Sequence, residues 1–99
     1  MEIIIKKAIT AHNEGKLEEA ENLYRSILKI KKIGSEHSSV YNNFGATLQM
    51  LGKLEDAEIN YKKAIELKSD YAEAYNNLGT ILQMLGKLED AEINYKKAI

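Results

Sequence analysis

Residues 48–65 read LQMLGKLEDAEINYKKAI, and residues 82–99 repeat the same eighteen letters. The two copies begin 34 residues apart, and the segments before them are also alike, VYNNFGAT at 40–47 and AYNNLGTI at 74–81. A weaker copy, EGKLEEAENLYRSIL, occupies residues 14–28. A period of this length indicates an array of repeated structural units.

The first unit is longer than the second. Its turn glycine, Gly15, precedes the matching Gly52 by 37 residues, and we place the three extra residues in the junction KIKKIGSEHS at 29–38. The sequence therefore predicts a single domain of three repeats whose last helix is incomplete. The predicted boundaries are residues 1–37, 38–71 and 72–99.

Apolar residues of the third unit recur every three or four positions, first at Tyr75, Leu78, Leu82 and Leu85 and then at Leu88, Ala91, Tyr95 and Ala98. This spacing predicts two amphipathic helices. Gly86 separates them and can adopt the left-handed conformation that ends a helix. Asp70 and Glu73 have the spacing of a capping box. Each unit is therefore predicted to be an antiparallel helical hairpin, and the fold class to be all-α.

Composition narrows the classes of function. The 99 residues carry a net charge of −1, so we expect no nucleic-acid partner, because phosphate binding needs a cationic excess. No stretch approaches the roughly 20 apolar residues of a membrane span. The absence of cysteine excludes disulfides and thiolate metal sites, and it favours a cytoplasmic location.

No catalytic pattern is present in the sequence. There is no nucleophile elbow and no glycine-rich phosphate loop, so we expect a protein that is not an enzyme and holds no cofactor. The two histidines, His12 and His37, lack a metal-ligating partner at helical spacing. We therefore expect them to be solvated turn residues and predict no metal site.

These features resemble the tetratricopeptide repeat family. Its pattern is an aromatic residue, Leu-Gly three residues later, a glycine turn, alanine, an aromatic residue and alanine. The second unit supplies Tyr41, Phe44, Gly45, Gly52, Ala57, Tyr61 and Ala64, and the third supplies Tyr75, Leu78, Gly79, Gly86, Ala91, Tyr95 and Ala98. The first unit departs, with Ile4 for the aromatic and Ala8 for the small glycine. The resemblance implies a right-handed superhelix of three stacked hairpins, an α-solenoid.

The resemblance also implies that the first helix of each unit lines a concave groove that binds a peptide or a helix of a partner protein. The groove positions are Ser39, Asn42, Asn43, Ala46, Gln49 and Met50 in the second unit and Glu73, Asn76, Asn77, Thr80, Gln83 and Met84 in the third. The two methionines either contact a partner or pack against the next hairpin, and we favour packing.

Asn43 and Asn77 resemble the asparagine ladder of the O-GlcNAc transferase repeats, which holds the main chain of an extended peptide. A carboxamide suits this role because it donates and accepts at once. Lys6 interrupts the ladder in the first unit, and a polar residue facing water is the alternative interpretation. The carboxylate clamp of chaperone-binding repeats is not expected, because Ile9 and Glu73 occupy two of its positions and Glu73 would repel a carboxylate.

Two further functions stay open. The array is either an independent binding module or the substrate-recruiting fragment of a larger enzyme such as a glycosyltransferase. It is alternatively a structural unit that self-assembles, because apolar residues of the last hairpin must face a neighbour that is missing. The apolar residues of that hairpin are Leu82, Leu85, Leu88, Ile93 and Tyr95, and some of them must face the missing neighbour. We accordingly expect self-association through the C-terminal hairpin.

Overall fold

The computed structural model describes residues 2–30 and 37–99, and within these ranges it contains six helices and no strand. The helices are α1 (Glu2–Asn13), α2 (Leu17–Leu28), α3 (Ser38–Met50), α4 (Leu54–Leu67), α5 (Ala72–Met84) and α6 (Leu88–Ala98). They pair as three consecutive hairpins, which confirms the all-α array. The junction predicted to hold the three extra residues falls mainly on 31–36, outside the described residues, and the repeat boundaries stay a prediction.

A glycine turn closes each hairpin, as the sequence predicts. Gly15, Gly52 and Gly86 have φ angles of +79°, +79° and +81°. A Cβ at these positions would meet no atom within 4 Å. The requirement for glycine is therefore conformational, because side chains other than glycine seldom adopt this left-handed backbone.

Inside the hairpins glycine has a different role. A Cβ on Gly45 would lie 2.7 Å from Cε1 of Tyr61, and one on Gly79 would lie 2.8 Å from Cδ1 of Tyr95. The absence of a side chain lets α3 approach the tyrosine of α4, and α5 that of α6. In the first hairpin Ala8 occupies the matching position and is fully buried.

The core runs continuously from one hairpin to the next. Tyr24 of α2 stacks on Phe44 of α3, with ring centroids 5.6 Å apart and an interplanar angle of 25°. The guanidinium of Arg25 lies over the ring of Phe44, 5.2 Å from the ring centroid. Each hairpin thus covers the apolar surface of its neighbour, as stacked repeats must.

Ion pairs reinforce the same junctions. Glu21 of α2 is bound within its helix by Arg25 at 2.8 Å, as the four-residue spacing favours, and across the junction by Lys53 at 2.9 Å. These hydrogen bonds, Lys53's foremost, hold the pKa of Glu21 below its usual value. The arrangement recurs one repeat later. Glu58 pairs with Lys62 within its helix at 2.7 Å and with Lys87 of the next hairpin at 3.2 Å.

The capping box predicted from Asp70 and Glu73 is not formed. Helix α5 begins at Ala72, and its N-cap residue Tyr71 makes no capping hydrogen bond. The carboxylate of Glu73 accepts instead from Nδ2 of Asn42, at 3.3 Å. Glu73 therefore contacts the preceding hairpin and does not cap its own helix.

Candidate functional site

One cavity brings side chains of all three hairpins together. It has a volume of about 250 Å³. Its lining residues are Ile9, His12 and Asn13 of α1, Tyr24 of α2, Asn43 and Ala46 of α3, and Glu73 of α5. We call this the three-hairpin cavity. A concave site at the junction of several elements is the usual position for ligand binding.

Three of the predicted groove residues, Asn43, Ala46 and Glu73, line this cavity. The others lie along α3 and α5 without contributing to its wall. Gln49, Asn77 and Thr80 are half-buried, and Ser39, Met50, Asn76, Gln83 and Met84 are exposed. Met50 and Met84 are 63% and 54% exposed, and Sδ of Met84 lies 3.8 Å from Nε2 of Gln49 in the preceding hairpin, so neither methionine is enclosed in the core.

The two asparagines of the predicted ladder differ in their surroundings. Asn43 is half-buried, and its carboxamide makes no hydrogen bond with any described residue. Asn77 already donates from Nδ2 to Oδ1 of Asn42, at 3.1 Å. Asn43 alone therefore has both its donor and its acceptor available for a ligand in the cavity.

Asn42 does not have the role that the sequence predicted. It is 1% exposed, and its carboxamide donates to Glu73 and accepts from Asn77. All three side chains meet where α3 packs against α5. We therefore revise its assignment from a ligand contact to a polar link between the second and third hairpins, since a buried carboxamide with both ends bonded is not open to a peptide.

The glutamines of the groove are held by tyrosines of the second helices. The hydroxyl of Tyr61 donates to Oε1 of Gln49 at 2.8 Å, and that of Tyr95 donates to Oε1 of Gln83 at 3.0 Å. Burial, followed by the charge of Glu73, raises the pKa of Tyr61. The tyrosine therefore stays a neutral donor at physiological pH and fixes the glutamine orientation.

Sequence reasoning missed the contribution of the first hairpin. His12 is not a solvated turn residue: it is half-buried in α1, and its Nδ1 lies 2.9 Å from Oγ1 of Thr47. His37 is half-buried at the start of α3, outside the cavity wall. Aligning the units on their turn glycines would have revealed His12, because it stands three residues before Gly15, as Gln49 stands before Gly52.

The C-terminal face, which we define by Leu88, Glu92, Tyr95 and Ile99, is open to solvent. Leu88 is 64% exposed, whereas its counterpart Leu54 one repeat earlier is half-buried. Ile93 is 51% exposed, but its counterpart Ile59 is 55% exposed in the middle of the array. The exposure of Ile93 therefore does not result from a missing neighbour.

Residues 2–30 and 37–99 contain no group of three or more histidine, aspartate or glutamate side chains arranged to hold a metal ion. None of the helices within those ranges has the length and apolar character that crossing a bilayer requires.

Residues 45–86 match the family model described as TPR repeat, the tetratricopeptide repeat. No curated protein matches the sequence significantly. Among solved structures, the first TPR of Spaghetti (RPAP3), bound to the HSP90 peptide SRMEEVD, is similar with a TM-score of 0.88 and 24% identity over 97% of this chain and 74% of that one. The Arabidopsis OM64 TPR domain is similar with a TM-score of 0.89 and 23% sequence identity, over 98% of this chain and 78% of that one.

PcrH, in complex with the chaperone binding region of PopB, gives a TM-score of 0.87 and 18% identity over 98% of this chain and 76% of that one. At these identities the likenesses establish the fold, and the sequence match at 45–86 supplies the repeat assignment.

Proposed function

We propose that this chain, which has the fold of tetratricopeptide-repeat domains and matches the repeat at residues 45–86, binds an extended segment of a partner protein in its three-hairpin cavity. The observation that supports this most directly is the carboxamide of Asn43, which faces the cavity with no hydrogen-bond partner among the described residues. One carboxamide can accept from a peptide N–H and donate to a peptide carbonyl.

Such contacts recognise the main chain and leave the choice of side chains to the walls of the cavity. Ile9 and Ala46 supply apolar contact, and Asn13 adds a second carboxamide. Two structurally similar proteins, the first TPR of Spaghetti and PcrH, hold a peptide and a region of a protein partner respectively. We propose the same class of ligand here, bound without chemistry and without a cofactor.

An independent adaptor and the recruiting fragment of a larger enzyme would both use this surface. Each needs the cavity to hold a segment of another protein, and the residues of this chain would act identically in the two. The proposal therefore concerns the binding step that these two functions share.

A display library of random peptides tests the proposal. We expect the chain to enrich a defined set of peptides, and Asn43→Ala to weaken binding of an enriched peptide about thirtyfold, since two hydrogen bonds worth about 1 kcal/mol each are lost. Asn60→Ala is the matched control, because Asn60 lies on α4 and donates only to the carbonyl of Asp56. Equal losses in both variants, or no enrichment, would overturn the proposal.

Self-assembly is a second candidate, supported by the C-terminal face. Leu54 is partly buried against the core, whereas Leu88, its counterpart one repeat later, is 64% exposed. We propose that the C-terminal face packs against a second copy of the chain. Light scattering that finds only monomers at high concentration would contradict this.

A further inference from the structure

The three-hairpin cavity carries one formal charge. Among the described residues that line it, Glu73 is the only acidic one, and none is a lysine or an arginine. The described residues form no ion pair with Glu73, whose carboxylate accepts a hydrogen bond from the uncharged carboxamide of Asn42. Within the part of the chain that the structure describes, the cavity therefore presents a carboxylate that no lysine or arginine neutralises.

The other carboxylates of the array that contact a neighbouring hairpin are neutralised. Glu21 binds Arg25 and Lys53, and Glu58 binds Lys62 and Lys87. Glu73 also contacts a neighbouring hairpin, but its partner there is the uncharged carboxamide of Asn42 and not a lysine or an arginine. The charge of Glu73 extends to its surroundings, since it contributes, after burial, to raising the pKa of Tyr71.

The walls beside this carboxylate suit the stem of a long cationic side chain. Ile9 is exposed to the extent of 36%, and Ala46 is half-buried next to it. Lysine and arginine lay their methylene groups along apolar surface and extend the charged end beyond it. A ligand segment held at Asn43 would thus place an apolar stem on α1 and α3 and a cation toward α5.

We propose that the three-hairpin cavity selects a lysine or arginine side chain of the bound segment, with its cation paired to Glu73. This inference rests on the proposed function, because it assigns one side-chain position of the segment held at Asn43. An acidic residue at the same position would meet the uncompensated carboxylate and be repelled. The partner is therefore a segment of neutral or basic character with one basic anchor.

The peptide library tests this with three forms of the chain. The wild type is expected to enrich lysine or arginine at one fixed position. Glu73→Gln should remove that preference and weaken the best peptide about fivefold, the scale of a partly exposed ion pair. Glu73→Lys should enrich aspartate or glutamate at the same position. Glu55→Lys, on the first turn of α4 and outside the cavity, makes the same change of net charge and should leave the preference as in the wild type.

The outcomes separate this inference from the proposed function. Peptides that depend on Asn43 but show no basic position would overturn the cation pairing and leave groove binding intact. An equal shift in Glu55→Lys and Glu73→Lys would also overturn it, since net charge and not the cavity would then set the preference. A second readout is salt dependence: binding of the best peptide should weaken with ionic strength more in the wild type than in Glu73→Gln. Equal salt dependence would contradict an ion pair at Glu73.

Discussion

Gly45 and Gly79 occupy the same position in their repeats, yet substitution by alanine should change the stability of the protein differently at the two positions. In both, a new Cβ would lie within 2.8 Å of a tyrosine ring. The ring of Tyr61 is 1% exposed and cannot yield, whereas Tyr95 is only half-buried and can move outward. Overpacking costs about 1–3 kcal/mol, against a helix-propensity gain of about 1 kcal/mol.

We therefore expect Gly45→Ala to lower the free energy of unfolding by about 1 kcal/mol and Gly79→Ala to leave it unchanged or slightly raised. Urea denaturation of the two variants beside the wild type measures this. Equal losses at both positions would mean that the tyrosine of the last hairpin is held as firmly as that of the middle one.

Single residues also show what the sequence could and could not predict. The turn glycines were predictable, because the left-handed conformation is a local property of one residue. The burial of Asn42 was not, since Asn42 and Asn43 are adjacent and identical in type, and only the position of the next hairpin decides which is covered. The position of His12 could have been found by aligning the turn glycines, but its bond to Thr47 could not, because Thr47 belongs to another repeat.

At the scale of elements, the polar link between α3 and α5 can be tested by substituting Asn42 and, as a control, the equivalent asparagine of the next repeat. Asn42 and Asn76 are equivalent, but Asn76 is exposed and makes no side-chain hydrogen bond with the described residues. Asn42→Ala should lower the free energy of unfolding by about 1–2 kcal/mol, because two hydrogen bonds are lost at a buried site. Asn76→Ala should stay within about 0.5 kcal/mol of the wild type. Thermal unfolding followed by circular dichroism measures both variants, and equal stability of the two would mean that the link contributes nothing.

The ion pairs between hairpins should make stability depend on pH. Hydrogen bonds from lysine and arginine keep the folded pKa of Glu21 and of Glu58 below the ordinary value of 4.5. A depressed folded pKa stabilises the fold fully above the unfolded pKa, and that contribution is lost as the pH falls through the folded pKa. Stability should therefore decline from about pH 4.5 downward.

Glu21→Gln and Glu58→Gln should each be less stable than the wild type at neutral pH and approach it in acid. The measurement is the urea midpoint as a function of pH, with Glu55→Gln as the control because the exposed Glu55 forms no ion pair with the described residues. A constant gap between wild type and variants across the pH range would exclude a contribution from these carboxylates.

At the scale of the whole molecule, the open C-terminal face predicts self-association. Leu88→Glu places a charge on that face, and Ile59→Glu places one on α4 at a similarly exposed position, 55% against 64%. If the face packs against a second copy, Leu88→Glu should shift the chain to monomer and Ile59→Glu should not, because burying an unpaired charge is costly. Sedimentation velocity over a range of concentrations measures this. An identical distribution for the two variants would place any contact elsewhere.

The array itself was predictable as a whole, because a repeated sequence must form a repeated structure in which each unit covers the next. The cavity was only partly predictable. Its α3 and α5 residues follow from the repeat, but Ile9, His12 and Asn13 come from the first unit, whose sequence departs most from the others.

Peptide binding in the three-hairpin cavity is tested most directly by titrating an enriched peptide into ¹⁵N-labelled protein and following the amide and side-chain resonances. We predict that the largest shifts fall on residues lining the cavity, with the side-chain NH₂ of Asn43 among them and the C-terminal face unaffected. Shifts concentrated on Leu88, Glu92 and Ile99, with Asn43 unchanged, would contradict the account and assign binding to the end of the array.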